Sequence, residues 1–140
     1  MSRFGIIDRV QVVTLLVLSF AFAVVGCLGF VVPEVLFDPI ALPLESSAGL
    51  AEIRAAYGGL FCTMSFVFAV GARRAEHRSS ALLLAVLVLG GFVLGRLISW
   101  GMDGAPTNLV AQLNLGLEFV GFVVTLVLLR AHSSKKIQSS

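Results

Sequence analysis

The chain has 140 residues, of which 58% are hydrophobic and 13% are charged, and its formal net charge is +2 at pH 7. Average soluble domains contain about 25% charged residues, so this composition excludes an ordinary soluble domain. The small positive charge follows from where the basic residues are placed, as described below, and does not indicate nucleic-acid binding.

Four apolar stretches account for the low charge, and each is long enough to cross a membrane. They cover about residues 10–32, 50–72, 80–102 and 107–130. A helix of about 20 mostly apolar residues crosses roughly 30 Å of hydrocarbon. We therefore predict an all-α fold, a transmembrane four-helix up-down bundle, in which residues 1–140 form a single integral membrane domain.

The first stretch also resembles a cleavable leader. Arg3 and Arg9 precede it, and VVGC at 24–27 resembles a lipoprotein cleavage box. The residues after Cys27, LGFVVP, continue the apolar run, whereas a mature lipoprotein becomes polar at this point. We therefore expect the first stretch to be retained as a membrane span.

Charge is distributed unevenly between the two ends of the predicted bundle. The end that holds both termini and the connection ARRAEHRSS carries eight basic and two acidic residues, a net charge of +6. The opposite end and the spans carry two basic and six acidic residues, a net charge of −4. Because basic residues favour the cytoplasmic side, we expect both termini in the cytoplasm and the protein in a bacterial inner membrane. ARRAEHRSS is expected to be a basic loop at anionic headgroups.

The longest predicted connection is the outer segment PEVLFDPIALPLESSAGL, between the first two spans. Pro33, Pro39 and Pro43 interrupt regular helix, while apolar residues between the acids favour a position at the membrane interface. Two interpretations remain open: a plain interfacial connector, or a lid over the mouth of the bundle.

The two cysteines are expected to be apolar packing residues. Cys27 lies near the outer end of the first span, and Cys62 lies about twelve residues into the second. At a rise of about 1.5 Å per residue, their depths differ by roughly 9 Å, which is far for a disulfide. Dithiol redox chemistry is therefore not expected.

Polar residues at helical spacing mark one face on each of the last three spans. The candidate cluster consists of Glu52, Arg54, Tyr57, Arg96, Ser99, Asp103, Asn114 and Glu118. An isolated charge at mid-membrane costs about 2.5 to 3.5 kcal/mol on insertion scales. We therefore expect Arg96 to lie inside the bundle and to pair with Glu118, with Arg54, Tyr57 and Asp103 nearby.

This cluster has two interpretations, and the sequence leaves both open. It can be a satisfied ion-pair network that fixes the register of the helices. It can also be a polar pocket for a lipid headgroup, a quinone, a proton or a small solute. Most of the eleven phenylalanines are expected to face lipid or to pack, and a pigment or quinone site is the alternative.

Glycines at several positions predict close approach of neighbouring helices. The candidate contact positions are Gly26, Gly29, Gly58, Gly59, Gly91 and Gly95, the last two forming a GxxxG motif.

Motifs for catalysis and metal binding are missing from the sequence. It has no His/Cys/Glu spacing typical of a metal site, no phosphate-binding loop, no GxSxG motif and no histidine in any span. We therefore predict no metal, no cofactor, no catalytic residues and no enzymatic activity.

The segments AEIRAAYGGLF and GRLISWGMDGAP, followed by Glu118, resemble a bacterial family of small four-span membrane proteins that is catalogued only as a domain of unknown function. The resemblance covers nearly the whole chain and implies the four-helix fold without implying an activity. The family's recurrent positions match most of the polar cluster and several of the glycines. The architecture is more distantly similar to DoxX-type four-helix proteins, some of which accompany redox complexes.

Together these observations favour a non-enzymatic accessory or scaffold subunit of a larger membrane complex. Its expected partners are the lipid bilayer and other membrane protein subunits, and not nucleic acid. The alternative is a binder or carrier of a small amphiphile, such as a lipid or a quinone, at the Arg/Glu cluster in the outer half of the bundle. A membrane enzyme that uses Glu118 as a proton carrier is a third interpretation.

Overall fold

The structure of the protein, a computed structural model, describes residues 5–37 and 46–138. Its helices are α1 (Ile6–Val31), α2 (Pro33–Phe37), α3 (Ser47–Ile53), α4 (Leu60–Arg73), α5 (Ala75–Asp103) and α6 (Leu109–Gln138), with a π-helical segment, Arg54–Gly59, between α3 and α4. Within these two ranges there is no β-strand.

Four helical stretches are long and apolar enough to cross a membrane. They are α1, the continuous helix Ser47–Arg73, α5, and Leu109–His132 within α6. The predicted all-α fold with four transmembrane helices is therefore confirmed, and the protein is a multi-pass membrane protein.

The connection between the second and third spans is shorter than the sequence suggests. α4 ends at Arg73 and α5 begins at Ala75, so the extended residue Arg74 alone joins them. The predicted basic loop is wrong in this respect: AEHRSS forms the first turns of α5, since alanine, glutamate and arginine are good helix formers. Arg78 is only 3% exposed, so its side chain is buried in the bundle.

The spans pack as two pairs that are joined in the middle. α1 packs most extensively on α4 and the π-helical segment, α5 packs on α6, and α4 also packs on α5. Contact between α1 and α6 is sparse. Near the N-terminal end of α1, Gln11 Nε2 donates a hydrogen bond to the carbonyl oxygen of Leu128 at 3.1 Å. α1 and α6 therefore meet at the end of the bundle that holds the N-terminus.

A compact core fills the part of the bundle nearer the N-terminus and the connection between α4 and α5. It consists of Leu15, Phe22, Phe68, Ala72, Ala81, Leu82, Ala85, Leu89 and Leu128. Two serines beside this core contact each other directly: the hydroxyls of Ser19 and Ser65 each donate to the other residue's carbonyl oxygen, at 2.9 and 2.7 Å. These bonds hold α1 against α4 and leave both hydroxyls satisfied.

Close contact between α1 and the π-helical segment depends on glycine. A Cβ atom on Gly29 would lie 3.0 Å from the backbone nitrogen of Gly58. Gly91 and Gly95 differ, because nothing lies within 4 Å of a Cβ built on either one. The GxxxG motif is therefore on an open face of α5 and does not pack helices together within the described part of the chain.

The two cysteines lie at the same level, which corrects the estimate of their separation. A Cβ atom on Gly26, the neighbour of Cys27, would lie 2.6 Å from Cys62 Sγ. The two thiols are close enough to interact, and both are free. The depth of each cysteine was counted from the end of its own helix. Because α3 extends beyond the end of α1, this count made the difference in depth between Cys27 and Cys62 too large.

Candidate functional site

Arg96 and Glu118 form a two-point ion pair between α5 and α6. Arg96 Nε donates to Glu118 Oε2 at 2.7 Å, and Arg96 Nη2 donates to Glu118 Oε1 at 2.9 Å. Bidentate, charge-assisted bonds of this kind are the strong class of hydrogen bond. The side chains are 35% and 17% exposed, so the pair that the sequence predicts is present but is not sealed inside the core.

Two further polar side chains adjoin this pair. Asn114 precedes Glu118 by one turn of α6, and Tyr57 lies close enough to Arg96 to interact with it electrostatically. Within residues 5–37 and 46–138, the carboxamide of Asn114 makes no hydrogen bond. Three of the four spans therefore bring polar groups to one place.

The π-helical segment determines where Tyr57 lies. A π-turn is wider than an α-turn, and such turns are frequent at functional sites. At the next residue, the ring of Phe30 would lie 2.7 Å from a Cβ atom on Gly58. Arg54, expected in the Arg96 cluster, is directed to α1 instead, where its Nε donates to the carbonyl oxygen of Phe30 at 3.2 Å. Both contacts fix the segment against α1.

Four aromatic rings from three spans form a continuous surface, which we name the aromatic wall: Phe22, Tyr57, Phe61 and Phe92. Phe61 is central, with its ring centroid 4.9 Å from that of Phe22, 5.4 Å from that of Tyr57 and 5.8 Å from that of Phe92. The ring planes of these three pairs differ by only 20°, 23° and 22°. The wall is therefore a set of nearly parallel rings beside the ion pair.

The ion pair, Asn114 and the aromatic wall all line one cavity of about 440 Å³. Its full lining is Ala21, Phe22, Val25, Val35, Leu36, Tyr57, Phe61, Leu89, Phe92, Arg96, Val110, Asn114 and Glu118. Sites for small molecules typically have volumes of about 300 to 1,000 Å³ and are mostly apolar with a few placed polar groups. This cavity has both properties.

The outer segment contributes to the cavity through α2. Val35 and Leu36 line it, and Pro33, at the start of α2, is fully buried. This placement agrees with the interpretation of the segment as a lid. Pro39, Pro43 and the rest of residues 38–45 lie outside the described residues.

The remaining candidates lie away from the cavity. Ser99 Oγ donates to Asp103 Oδ2 at 3.4 Å on an exposed face of α5, and Glu52 is exposed on α3. Of the predicted cluster, the residues that line the cavity are Tyr57, Arg96, Asn114 and Glu118.

The sequence did not single out Phe22 and Phe92 as site residues. Phe92 precedes Arg96 by four residues, as Phe61 follows Tyr57 by four, so one-turn spacing from a polar residue was an available signal for Phe92. Phe22 lies in a span without charges and had no such signal, because only the pairing of α1 with α4 brings it to the site.

The chemistry of the site is suited to binding. Within the described ranges, no three His, Cys, Asp or Glu side chains come together as a metal site. Among the described residues, Glu118 is the carboxylate that lines the cavity, and Arg96 bonds to both of its oxygens. What the cavity offers a small molecule is a polar end with hydrogen-bonding groups and an aromatic surface beside it.

Comparison with known proteins places this arrangement in a family. A family described as a domain of unknown function, DUF4345, matches residues 10–129. The chain belongs to this family. The matched range includes most of the first and fourth spans, all of the second and third, and every residue that lines the cavity. No curated protein and no solved structure matches the chain. The family has no described function, so a function can be inferred only from the cavity.

Proposed function

We propose that this protein binds a small amphiphile in the cavity between its spans. The polar part of the ligand lies at Arg96, Asn114 and Glu118, and its apolar part lies against the aromatic wall. The observation that supports this proposal best is that a bidentate ion pair lines a cavity of about 440 Å³. An ion pair that served only to fix helix register would not require a cavity beside it.

The inner part of the bundle provides a comparison within the same chain. There Ser19 and Ser65 bond directly to each other's carbonyl oxygens between packed helices. This polar contact between packed helices is closed, whereas the Arg96–Glu118 pair lines a cavity. α1 and α6 make few contacts with each other and both line this space, so we propose that an amphiphile enters from the bilayer between them.

The test is to identify what the protein retains when it is extracted gently. We expect native mass spectrometry of the full chain, released from mild detergent, to show a near-stoichiometric small molecule on the wild type. Arg96→Met combined with Glu118→Met should lose it, while Ser99→Ala, on the exposed face of α5, should keep it. A wild-type protein that is free of ligand both in mild detergent and in nanodiscs would contradict the proposal.

An accessory or scaffold role is the second candidate, and the open face of α5 favours it. Gly91 and Gly95 have nothing within 4 Å of a built Cβ, and Leu87 and Leu94 beside them are 63% and 59% exposed. Small residues on a membrane helix permit close approach of a second helix. A stoichiometric protein partner that Gly91→Leu displaces, without loss of the cavity ligand, would support this role. Association that is unaffected by Gly91→Leu would contradict it.

We also propose the bacterial inner membrane as the location, with both termini in the cytoplasm. The support is the charge difference between the two ends, +6 against −4, counted over the whole sequence. In this orientation the cavity lies in the outer half of the bilayer.

A further inference from the structure

The polar end of the cavity is electrically balanced. Arg96 and Glu118 neutralise each other through both carboxylate oxygens. An anionic ligand would compete with Glu118 for Arg96 and leave an excess negative charge within the membrane, and a cationic ligand would leave an excess positive charge. Since unpaired charges are costly there, the site favours an uncharged ligand that leaves the pair intact.

The polar end of the cavity has several N–H groups that make no hydrogen bond to the described residues. A guanidinium group has five N–H bonds, and the contact with Glu118 uses one on Nε and one on Nη2. Neither Arg96 Nη1 nor the carboxamide of Asn114 donates to another group among the described residues. A ligand that satisfies these donors must present acceptor oxygens, and an uncharged ligand can do so with carbonyl groups.

The aromatic wall favours a flat ligand. The plane of Phe61 is within 20° to 23° of the plane of each of its three neighbours, so a further flat ring can align with Phe61. Phe92 precedes Arg96 by one turn of α5. A ring that lies along the wall therefore has its edge next to the donors, and aromatic rings gain from such parallel-displaced or edge contacts.

We infer that the cavity binds the ring of a quinone, an uncharged flat ring that carries carbonyl oxygens on an apolar tail. This inference rests on the proposed function of the cavity as an amphiphile site. One carbonyl oxygen of the ring accepts hydrogen bonds from Arg96 and Asn114, the ring lies along the aromatic wall, and the tail leaves between α1 and α6.

The binding experiment compares probes that share one tail and differ only in their heads. The full chain in detergent is titrated with a 1,4-benzoquinone that carries a ten-carbon tail, and the fluorescence of Trp100, the single tryptophan, reports saturable quenching. Decanoate, decyltrimethylammonium and decanol then compete for the site. We expect the quinone to bind saturably and each competitor to bind at least about tenfold more weakly, one hydrogen-bonded contact being of this order.

Matched variants locate the binding in the cavity. Asn114→Leu should weaken quinone binding about tenfold by removing a donor without touching the ion pair. Phe61→Leu removes the central ring of the wall and should weaken it about fivefold. Phe66→Leu on the same helix is the control, since Phe66 is 70% exposed, and it should bind as the wild type does.

The outcomes separate the inference from the proposed function. If decanoate or decyltrimethylammonium binds more tightly than the quinone, or if decanol binds as tightly, the quinone inference is overturned while the amphiphile site stands. Equal binding by wild type and Asn114→Leu overturns it as well. If none of the four probes shows saturable binding, the proposed function fails together with the inference.

Discussion

Arg96 on α5 and Glu118 on α6 hold each other through two hydrogen bonds, at 2.7 and 2.9 Å, while both side chains line a cavity. The pair has a structural consequence and a functional one. It ties the third span to the fourth, and it presents a neutral, donor-rich surface to anything that enters the space beside it. The two consequences can be separated by experiment.

The coupling of the pair is tested by comparing single and double substitutions. Glu118→Gln strands the guanidinium, and breaking a buried pair typically costs about 3 to 5 kcal/mol. Because Arg96 remains 35% exposed, we expect a loss of about 2 to 3 kcal/mol in the free energy of unfolding. Arg96→Met with Glu118→Met should be less destabilising than the sum of the two single changes.

The measurement is unfolding of the purified variants in detergent, followed by circular dichroism. Losses that simply add in the double variant would show that the two residues are energetically independent, and the pair would then have no structural role.

The contact of Gly29 with Gly58 predicts a position at which one methyl group is harmful. A Cβ on Gly29 would lie 3.0 Å from backbone atoms of the π-helical segment, and overpacking of this kind costs about 1 to 3 kcal/mol. We expect Gly29→Ala to lower the unfolding temperature and to weaken ligand binding, because the segment that carries Tyr57 must move.

Gly91→Ala is the matched control for this substitution. It introduces the same methyl group in the same secondary structure, but nothing lies within 4 Å of the new atom. Its stability should equal or slightly exceed that of the wild type, since alanine favours helix over glycine by about 0.5 to 1 kcal/mol. Equal effects of the two substitutions would mean that α1 and the π-helical segment are not in close contact.

The two cysteines predict a specific cross-link. A Cβ atom on Gly26, next to Cys27, would lie 2.6 Å from Cys62 Sγ, so copper-phenanthroline oxidation of the detergent-solubilised chain should join the two sulfurs within one molecule. Mass spectrometry should find a loss of two hydrogen atoms and no thiol that reacts with maleimide, whereas Cys62→Ser should keep one reactive thiol. Two reactive thiols after oxidation, or only cross-linked dimers, would show that the helices are placed differently.

Membrane orientation is predicted by the charge distribution alone. Reporter fusions placed after Arg74 and at the C-terminus should report a cytoplasmic location, and a fusion after Gly104 should report the opposite side. A fusion after Arg74 can disrupt the fold, because this single residue joins two helices. A second measurement of the same orientation is therefore the labelling of His77→Cys, since His77 is exposed. If a cysteine at that position were labelled from outside intact cells, the predicted orientation would be wrong.

The four spans and the Arg96–Glu118 pair could be predicted from the sequence for a clear physical reason. Long apolar runs and charges inside them are local signals, and the cost of an unpaired charge in the membrane leaves few solutions. Phe22 had no comparable signal, because its place in the aromatic wall depends on how α1 packs on α4.

The sequence also did not predict the surroundings of side chains that depend on where a helix begins or ends. Arg78 reads as a headgroup anchor, yet it is 3% exposed because α5 begins three residues before it. The sequence predicted that Cys27 and Cys62 lie at different depths, but they lie side by side because α3 extends past the end of α1. For Arg78 a small shift of a helix boundary changed the environment of the side chain, and for the cysteines the relative position of two helices along the bundle did so.

A crystal structure of the wild-type chain grown from a lipid mesophase tests the central claim most directly. We predict electron density for a non-protein molecule in the cavity, with a polar end within hydrogen-bonding distance of Arg96 Nη1 or Asn114 Nδ2 and an apolar part along Phe61. A cavity that is closed by the protein's own side chains, or that holds only water, would contradict the claim that this family member binds an amphiphile between its spans.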